Sequence, residues 1–400
     1  MIAPTVEEAQ DLTPVRSTPL PFNIPDITQA EIDEVADTLR SGWLTTGPKT
    51  KRFERQFAEY VGVRQAIAVN SCTAALHVAL AAAGIGPGDE VIVPTMTFCA
   101  TANVVLHLGA TPVIVDVEAD TLNLSPRCLE AAITSSTKAV IPVHLYGHPA
   151  DLDRIGAIAK AHHLLVIEDA AHAVAAEWCG QRIGSLSAAT AFSFYAIKNL
   201  TTGEGGMITT NDPDYAEKMR IYSLHGITHD AWKRYSNEGS WYYEVAFPGF
   251  KCNLSDIQAS LGLHQLARLE GMIQRRTELA ARYDEGLSRF PEIIRPGVRP
   301  GVRHAWHLYA IRLRLEMLKI DRAQFIECLK AEGIGTSVHF IPLHRQPYYR
   351  DRYGLTPGDY PVADAGYQRL ISLPLFTRMT ERDVDDVVEA VRRVIQRNRR

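Results

Sequence analysis

The sequence predicts an α/β fold: one large, mostly parallel sheet with helices on both faces, followed by a smaller α+β domain. Short β-branched runs recur seven times in the first half of the chain, and helix-like stretches separate most of them. Beyond about residue 256 this alternation ends. The seven runs are Ala66–Val69, Glu90–Val93, Pro112–Val115, Ala139–Pro142, Leu164–Ile167, Ala189–Phe194 and Gly206–Thr209. In such sheets, ligands bind beyond the carboxyl ends of the strands.

Length and composition agree with a globular enzyme of two domains. The chain has 400 residues, of which 46% are hydrophobic and 22% are charged, so it can form a sizeable core. A net charge of −4 provides no overall attraction to nucleic acid or to an anionic membrane. Because there is no run of about 18 apolar residues and no apolar signal sequence at the start, we expect a cytoplasmic protein without a membrane partner.

The segment before the first strand is predicted to contain a loose arm and two helices. Residues 1–25 are rich in Pro, Thr and Glu and form the arm. Thr28 and Glu31 have the spacing of a capping box, and the helix that follows ends at Gly42. Its apolar stripe is Ile32, Val35 and Leu39. The second helix is Pro48–Val61, with one face formed by Phe53, Phe57 and Tyr60.

Further helices are predicted between the strands and after them. Those between strands are Thr73–Ala83, Cys99–Leu108, Pro126–Ile133 and Leu152–His162. A long helical pattern with one apolar stripe, Ser255–Leu287, opens the second domain. It is followed by a strand-like run and two helices, at His307–Leu315, Arg322–Glu332 and Glu381–Ile395. We therefore expect an arm at residues 1–25, a large domain at 26–255 and a small domain at 256–400.

The cysteine pattern favours free thiols over disulfides or a metal site. The six cysteines are scattered along the chain, with no CxxC pair and no zinc-ligand spacing. A chain of this length has no need of disulfides for stability, so a reducing compartment is the expected setting. We therefore expect no metal site.

Two of the predicted strands end in residues that can carry chemistry. Asp169 follows Leu164–Ile167, where its carboxylate can face a ligand; a helix N-cap is an equally good interpretation. Lys198 follows Ala189–Phe194 and has apolar and small neighbours. A partly desolvated lysine loses its proton readily and acts as an amine nucleophile, although most lysines are ordinary surface residues. The glycines after it suit a turn that a ligand or backbone approaches closely.

Two further strand ends offer a phosphate cradle and an aromatic face. Asn70–Leu76 leads from a strand into a helix rich in small residues, where free N–H groups can hold phosphate; a plain helix cap fits equally well. Phe98 follows Glu90–Val93 and can either stack on a planar cofactor or fill the core. The sequence contains no dinucleotide-binding or Walker glycine motif, which disfavours a Rossmann-type oxidoreductase.

Taken in chain order, these groups match the needs of pyridoxal 5′-phosphate. Its phosphate needs N–H donors and hydroxyls, its ring a stacking face, its ring nitrogen a carboxylate, and its aldehyde a lysine amine. Asp169 and Lys198 are separated by about one strand–loop–strand unit. Each group alone is a weak signal, whereas the ordered set predicts a pyridoxal-phosphate site.

The chain also resembles the DegT/DnrJ/EryC1/StrS family of fold-type-I, pyridoxal-phosphate-dependent nucleotide-sugar aminotransferases. The similarity extends from about Phe22 to Ile395. The matching segments are Ser41–Pro48, Asn70–Leu76, Pro94–Phe98, Pro142–Gly147, Glu168–His172, Ser193–Gly206, Gly249–Asp256, Gly333–His339 and Ser372–Phe376. The resemblance implies a seven-stranded cofactor domain, a smaller C-terminal domain, and a homodimer with shared active sites.

The resemblance further implies a role for each site residue. Lys198 would bind the cofactor covalently and then carry protons, while Asp169 would pair with the ring nitrogen. Phe98 would stack on the ring, and His172 would lie near its phenolic oxygen. The phosphate would be held by Ser71, Cys72, Thr73 and Ser193, and by Asn253 from the neighbouring subunit. Cys72 departs from the usual glycine or alanine, a mild change if the backbone N–H binds phosphate. Lys198 argues against the dehydratase branch, which has histidine there.

At the substrate level the resemblance is to members that aminate C4 of a nucleotide-linked 4-keto sugar, with L-glutamate as the expected donor. It rests on Trp43–Pro48, and the expected substrate contacts are Thr46 and His339. Trp232–Tyr235 would meet the diphosphate or the donor carboxylate, or form a surface loop. The alternatives are a C3-specific aminotransferase of the same family and a non-catalytic sensor that kept the fold.

Overall fold

The computed structural model describes residues 13–228 and 243–400. The helices are α1 (Gln29–Ser41), α2 (Pro48–Val61), α3 (Cys72–Ala82), α4 (Ala100–His107), α5 (Pro126–Ala131), α6 (Leu152–Ala161), α7 (Pro213–Ser223), α8 (Asp256–Ala267), α9 (Leu269–Leu287), α10 (Arg322–Ala331), α11 (Pro347–Tyr353), α12 (Pro361–Arg369) and α13 (Glu381–Asn398). The strands are β1 (Gln65–Val69), β2 (Glu90–Pro94), β3 (Thr111–Val115), β4 (Thr137–Val140), β5 (Leu165–Asp169), β6 (Glu177–Trp178), β7 (Gln181–Arg182), β8 (Ala189–Ser193), β9 (Gly206–Thr210), β10 (Ile293–Ile294), β11 (Val302–Arg303), β12 (Tyr309–Leu313) and β13 (Leu370–Leu373).

A seven-stranded sheet forms the framework of the N-terminal half, with the order β1-β9-β8-β5-β4-β2-β3. β9 is antiparallel to its neighbours β1 and β8, and the other pairs are parallel. The seven predicted strands therefore form one mostly parallel sheet, as expected. The carboxyl ends of six strands lie at one edge, beside the amino end of β9.

Helices cover both faces of this sheet, and β8 shows how the sequence specifies the two faces. Because successive side chains in a strand point to opposite sides, Phe192 packs on one face and Ala191 on the other. The Phe192 ring lies 5.1 Å from that of Phe57 in α2. On the opposite face, the small Ala191 allows α3 to approach until Cys72 Sγ is 3.6 Å from the Ala191 carbonyl oxygen.

The predicted helix α1 is present with its capping box, but its apolar stripe does not face the core of the chain. Ile32 and Leu39 are 53% and 54% exposed, whereas Glu31 is fully buried. Glu31 turns inwards because its carboxylate accepts hydrogen bonds from Gln265 Nε2 (2.9 Å) and Arg268 Nε (3.0 Å). Polar partners from α8 and from the residue that follows it therefore decide the orientation of this helix.

The long helix predicted at Ser255–Leu287 is in fact two helices, α8 and α9. The chain leaves the helical conformation at Arg268 (φ −109°, ψ 7°), whose guanidinium donates to the Asp26 carbonyl and to Glu31. α8 packs against α1 and α2, whereas α9 packs against α13. The apolar stripe is continuous across Arg268, so the sequence pattern did not reveal the change of partner.

The C-terminal part contains the small antiparallel sheet β10-β12-β13. Buried residues of α9, α10 and α13 surround it, including Tyr283 of α9 and Phe325 of α10. Strands β11, β6 and β7 form a third sheet, separate from the other two sheets. The proposed division at 255/256 stays a prediction, since α8 follows it and yet packs on α1 and α2. Within 13–228 and 243–400, no helix has the length and apolarity to cross a bilayer.

Candidate active site

The residues predicted to carry chemistry meet at the edge of the large sheet where the parallel strands end. Asp169 ends β5, Ser193 ends β8, and Ser71 follows β1 directly. Lys198 lies five residues beyond the end of β8, and its charge influences both Cys72 and His172. The fold thus brings together side chains that are far apart in sequence.

Asp169 is held by hydrogen-bond donors on both carboxylate oxygens. Oδ2 accepts from Thr101 Oγ1 at 2.8 Å, and Oδ1 accepts from the Ala171 N–H at 3.1 Å. Cys72 Sγ lies 3.8 Å from Oδ1. Asp169 is only 5% exposed, so these donors replace the water that the carboxylate has lost. It does not cap a helix, which removes the alternative that the sequence left open.

Lys198 is half-buried in the turn that follows β8. Loss of hydration lowers the pKa of Lys198 to about 8, although Cys72 and Asp169 act in the opposite direction. The next residue is anchored, because Asn199 Nδ2 donates to the Ala305 carbonyl at 2.7 Å. The position of the amine is therefore tied to a loop of the C-terminal half, and a sizeable fraction of it is neutral near physiological pH.

Three buried or partly buried histidines adjoin Lys198. His172 Nδ1 accepts the Tyr146 N–H at 3.2 Å, so the proton of the neutral ring lies on Nε2. The rings of His172 and His307 are 4.5 Å apart. Burial and the charge of Lys198 lower the pKa of His172 well below its usual value, and that of His339 to about 4. These rings are therefore neutral, and His172 offers a single N–H donor.

The N-terminus of α3 forms the predicted turn after β1. Ser71 is its N-cap, with Oγ accepting the Ala74 N–H at 3.1 Å. As at any helix start, the N–H groups of Cys72 and Thr73 have no acceptor within the helix. A Cβ on Gly206 would lie 2.5 Å from the Ser71 carbonyl carbon. The glycine predicted to permit a close approach therefore makes room for this turn.

The aromatic residue predicted to stack on the cofactor lies at the open side of the site. Phe98 is 57% exposed and therefore does not fill the core. Its ring lies 5.7 Å from that of Phe340, which in turn is stacked 5.6 Å from His172. The geometry leaves an exposed face of Phe98 available to a planar ligand.

Thr46, a predicted substrate contact, touches Asn253, which is predicted to bind the cofactor phosphate. Asn253 Nδ2 donates to Thr46 Oγ1 at 2.7 Å, and Asn253 bridges to Val69 at the end of β1. The other expected substrate contact, His339, hydrogen bonds through Nδ1 to Ser372 Oγ at 3.0 Å. The roles of these residues stay predictions, as do those of the other site residues. Trp232–Tyr235 lies outside the described residues.

Sequence reasoning missed several residues that complete this cluster. Thr101 and Asn199 hold Asp169 and the Lys198 turn, as described above. His307 donates through Nδ1 to Asn199 Oδ1 at 3.2 Å. The sequence offered one signal of this cluster: the spacing of Thr97 and Thr101 is about one helical turn, which can place both hydroxyls on the same side. Among the residues of 13–228 and 243–400, no group of His, Cys, Asp and Glu is arranged to hold a metal ion.

Comparison with known proteins gives a consistent result. The family model of the DegT/DnrJ/EryC1/StrS aminotransferase family matches residues 25–392. The spore coat polysaccharide biosynthesis protein SpsC of Bacillus subtilis is 53% identical over 378 residues, which cover 94% of this chain and 97% of SpsC.

Solved structures agree in fold. “Putative sugar aminotransferase Spr1654” of Streptococcus pneumoniae, in its PMP form, superposes with a TM-score of 0.89 at 40% identity, covering 94% of this chain and 99% of that one. Its PLP form gives a TM-score of 0.88 at 40% identity and covers 95% and 99%. Helicobacter pylori PseC, an aminotransferase involved in the biosynthesis of pseudoaminic acid, gives 0.88 at 28% identity, covering 95% and 100%.

Proposed function

This chain belongs to the DegT/DnrJ/EryC1/StrS aminotransferase family, and we propose that it moves an amino group from L-glutamate to C4 of a nucleotide-linked 4-keto sugar. It is a sugar aminotransferase that uses pyridoxal 5′-phosphate and its amino form. In the overall reaction glutamate becomes 2-oxoglutarate while the sugar carbonyl becomes an amine. The chain is therefore an enzyme, and the alternative interpretation as a non-catalytic sensor is not supported.

The donor set at the sheet edge fits this cofactor. A partly neutral lysine amine suits an aldehyde, and the doubly held Asp169 carboxylate suits a protonated ring nitrogen. The N–H groups of Cys72 and Thr73 at the start of α3 suit a phosphate, because a helix N-terminus attracts anions. The exposed ring of Phe98 suits a planar ligand. We propose that Lys198, Asp169, Phe98 and this helix start hold the cofactor, with Ser71, Ser193 and His172 beside them.

When bound, the cofactor supplies a carbonyl that takes up the amino group and a ring that delocalises the electron pair left on carbon. The protein supplies proton transfer and orientation. Lys198 accepts and returns protons, since an amine with a pKa of about 8 exchanges them near neutral pH. The neutral His172 ring donates a hydrogen bond from its Nε2–H, and we propose the phenolic oxygen of the cofactor as the acceptor. Asp169 provides a fixed negative charge.

Three observations support the substrate proposal. The turn Trp43–Pro48 resembles those of C4 aminotransferases, and Thr46 within it lies against Asn253. The relative SpsC is a spore coat polysaccharide biosynthesis protein, and PseC acts in pseudoaminic acid biosynthesis. We therefore propose a role in amino-sugar synthesis for a surface polysaccharide or a glycoside. The active form is proposed to be a cytoplasmic homodimer in which Asn253 reaches the phosphate of the partner site.

The observation that carries the proposed function is the desolvated Lys198 beside the doubly held Asp169. Its test is a panel of 4-keto and 3-keto nucleotide sugars with L-glutamate, analysed by mass spectrometry and NMR. We expect a new C–N bond at C4 of a 4-keto substrate. Amination at C3 would identify the alternative C3-specific enzyme, and absence of any amine product would contradict the proposal.

The catalytic role of Lys198 has a direct test. We expect Lys198→Ala to lower the turnover rate at least about 10²–10⁴-fold, the usual range for loss of a proton-transfer group. Lys198→Arg, which keeps the positive charge, is the matched control, and its turnover should be as low as that of Lys198→Ala. Undiminished turnover by Lys198→Ala would show that the amine is not used.

A further inference from the structure

A chain of two threonine hydroxyls ends on the Asp169 carboxylate. Thr101, in the first turn of α4, places its Oγ1 at 2.8 Å from Asp169 Oδ2. Thr97 Oγ1 lies 2.7 Å from Thr101 Oγ1. Both threonines are buried, at 1% and 0% exposure. Buried hydroxyls are costly unless they are hydrogen bonded, so this arrangement is a defined feature of the site.

The direction of this chain follows from the chemistry of its members. An ionised carboxylate only accepts hydrogen bonds, so the single hydroxyl proton of Thr101 points to Asp169. Thr101 must then accept from Thr97, whose hydroxyl donates. Successive hydrogen bonds polarise one another, so Thr97 strengthens the bond from Thr101. The chain is therefore oriented towards a negative charge on Asp169.

The same chain joins two parts of the proposed cofactor site. Thr97 directly precedes Phe98, and the Thr101 N–H donates to the Phe98 carbonyl at 3.2 Å. The loop that presents the aromatic ring is thus connected to the carboxylate on β5. Because Oδ1 is held separately by the Ala171 N–H, the two anchors fix both the rotation and the position of the carboxylate.

We propose that Thr101, supported by Thr97, positions Asp169 and stabilises its negative charge, so that the carboxylate pairs with the protonated ring nitrogen of the cofactor. This inference rests on the proposed function. Neither threonine is a catalytic residue, since each acts through Asp169. Without the Thr101 hydroxyl, Oδ2 is a buried acceptor that lacks a donor, and its pairing with the ring nitrogen weakens.

The experiment measures the Kd of the full-length chain, stripped of cofactor, for pyridoxal 5′-phosphate and for its 1-deaza analogue, in which carbon replaces the ring nitrogen. We expect Thr101→Val to raise the Kd for pyridoxal 5′-phosphate about 10-fold, the size typical of one hydrogen bond to a charged group. The Kd for the analogue should change less than about twofold, because the analogue has no ring nitrogen to pair with Asp169. Thr97→Val should have a smaller effect in the same direction.

Two controls separate this role from simple damage to the fold. Thr101→Ser keeps the hydroxyl and should restore the parental Kd. Thr209→Val removes another buried hydroxyl of the large sheet, which donates to the Gly184 carbonyl at 2.8 Å, and should leave both Kd values unchanged. Equal losses for both ligands in Thr101→Val, or no loss for either, would overturn the inference. Failure of the parental chain to bind pyridoxal 5′-phosphate would instead contradict the proposed function.

Discussion

The surroundings of Lys198 lower the pKa of its amine. The backbone turn after β8 leaves the amine poorly hydrated, which lowers the pKa of Lys198 to about 8 against the opposing effects of Cys72 and Asp169. The adjacent rings of His172 and His339 are neutral, because burial lowers the pKa of each. The neutral form of the amine is therefore accessible near physiological pH, and the two imidazole rings beside it carry no charge.

This pKa predicts how capture of the cofactor depends on pH. Only the neutral amine attacks an aldehyde, so the rate at which the cofactor-free chain captures pyridoxal 5′-phosphate should rise with pH and level off above about 8. An ordinary lysine would level off only above about 10.4. Stopped-flow absorbance across this range measures the rate, and Lys198→Arg should show no capture. A rate that still climbs steeply above pH 9 (roughly one unit past the expected midpoint) would contradict the expectation.

The side chain of Cys72 gives a further prediction at the residue scale. Its thiol is buried, and burial together with Asp169 raises the pKa of Cys72 well above its usual value. A thiol kept protonated in this way reacts poorly with alkylating reagents. We expect iodoacetamide to modify Cys179, which is exposed, well before Cys72. Peptide mass spectrometry after timed alkylation measures this order, and early modification of Cys72 would contradict it.

At the scale of elements, the start of α2 is fixed by a residue more than two hundred positions away. Asp256, the first residue of α8, accepts the N–H groups of Gly47 and Thr50 on Oδ1, each at 2.8 Å. Its Oδ2 accepts the Lys49 N–H at 3.0 Å. The carboxylate thus caps α2 and complements its dipole. The same contact fixes the turn that contains Thr46.

Removal of this cap should destabilise the fold clearly. Asp256 is 1% exposed, and Asp256→Ala would leave several buried N–H groups without acceptors, so we expect a loss of about 3 kcal/mol in the free energy of unfolding. Asp212→Ala is the matched control, since it removes an exposed cap from α7 and should cost about 1 kcal/mol. Urea unfolding followed by fluorescence measures both. Equal effects would mean that burial of Asp256 adds nothing.

At the scale of the whole molecule, the site of a single chain is open on one side. Thr73 is exposed, and Phe98 is 57% exposed, although both are proposed to contact the cofactor. Asn253 lies beside Thr46 at the end of β1. A partner subunit that covers this side would complete the site, as the proposed homodimer with shared active sites requires.

Complementation between two inactive variants tests the shared site. If Asn253 acts on the partner's site, mixed dimers of Lys198→Ala and Asn253→Ala contain one intact site each. The purified mixed dimer should then have about half of the parental activity, because one of its two sites is intact. Co-expression with two different tags, followed by assays of the purified mixed dimer, measures the recovery. Mixed dimers without activity would place Asn253 in the site of its own chain.

The sequence by itself determined the framework and the main chemical groups. Alternating β-branched runs identified the seven strands of the large sheet, because the side-chain period of a strand is local. The strand ends then indicated Asp169 and Lys198, since parallel strands bring their carboxyl ends to one edge. The resemblance over nearly the whole chain supplied the family and the cofactor, both of which the comparisons support.

Only the tertiary structure decided what each group contacts. It buried Glu31 instead of Ile32, because Gln265 in α8 and Arg268, which follows α8, supply hydrogen-bond donors. It joined Thr101 to Asp169 across 68 residues of chain. Hydrogen bonds and loss of hydration depend on distances in space between segments that are remote in sequence, whereas secondary structure depends mainly on near neighbours. For this reason the sequence could predict where the chemistry lies, and the packed fold alone determined its charges and orientations.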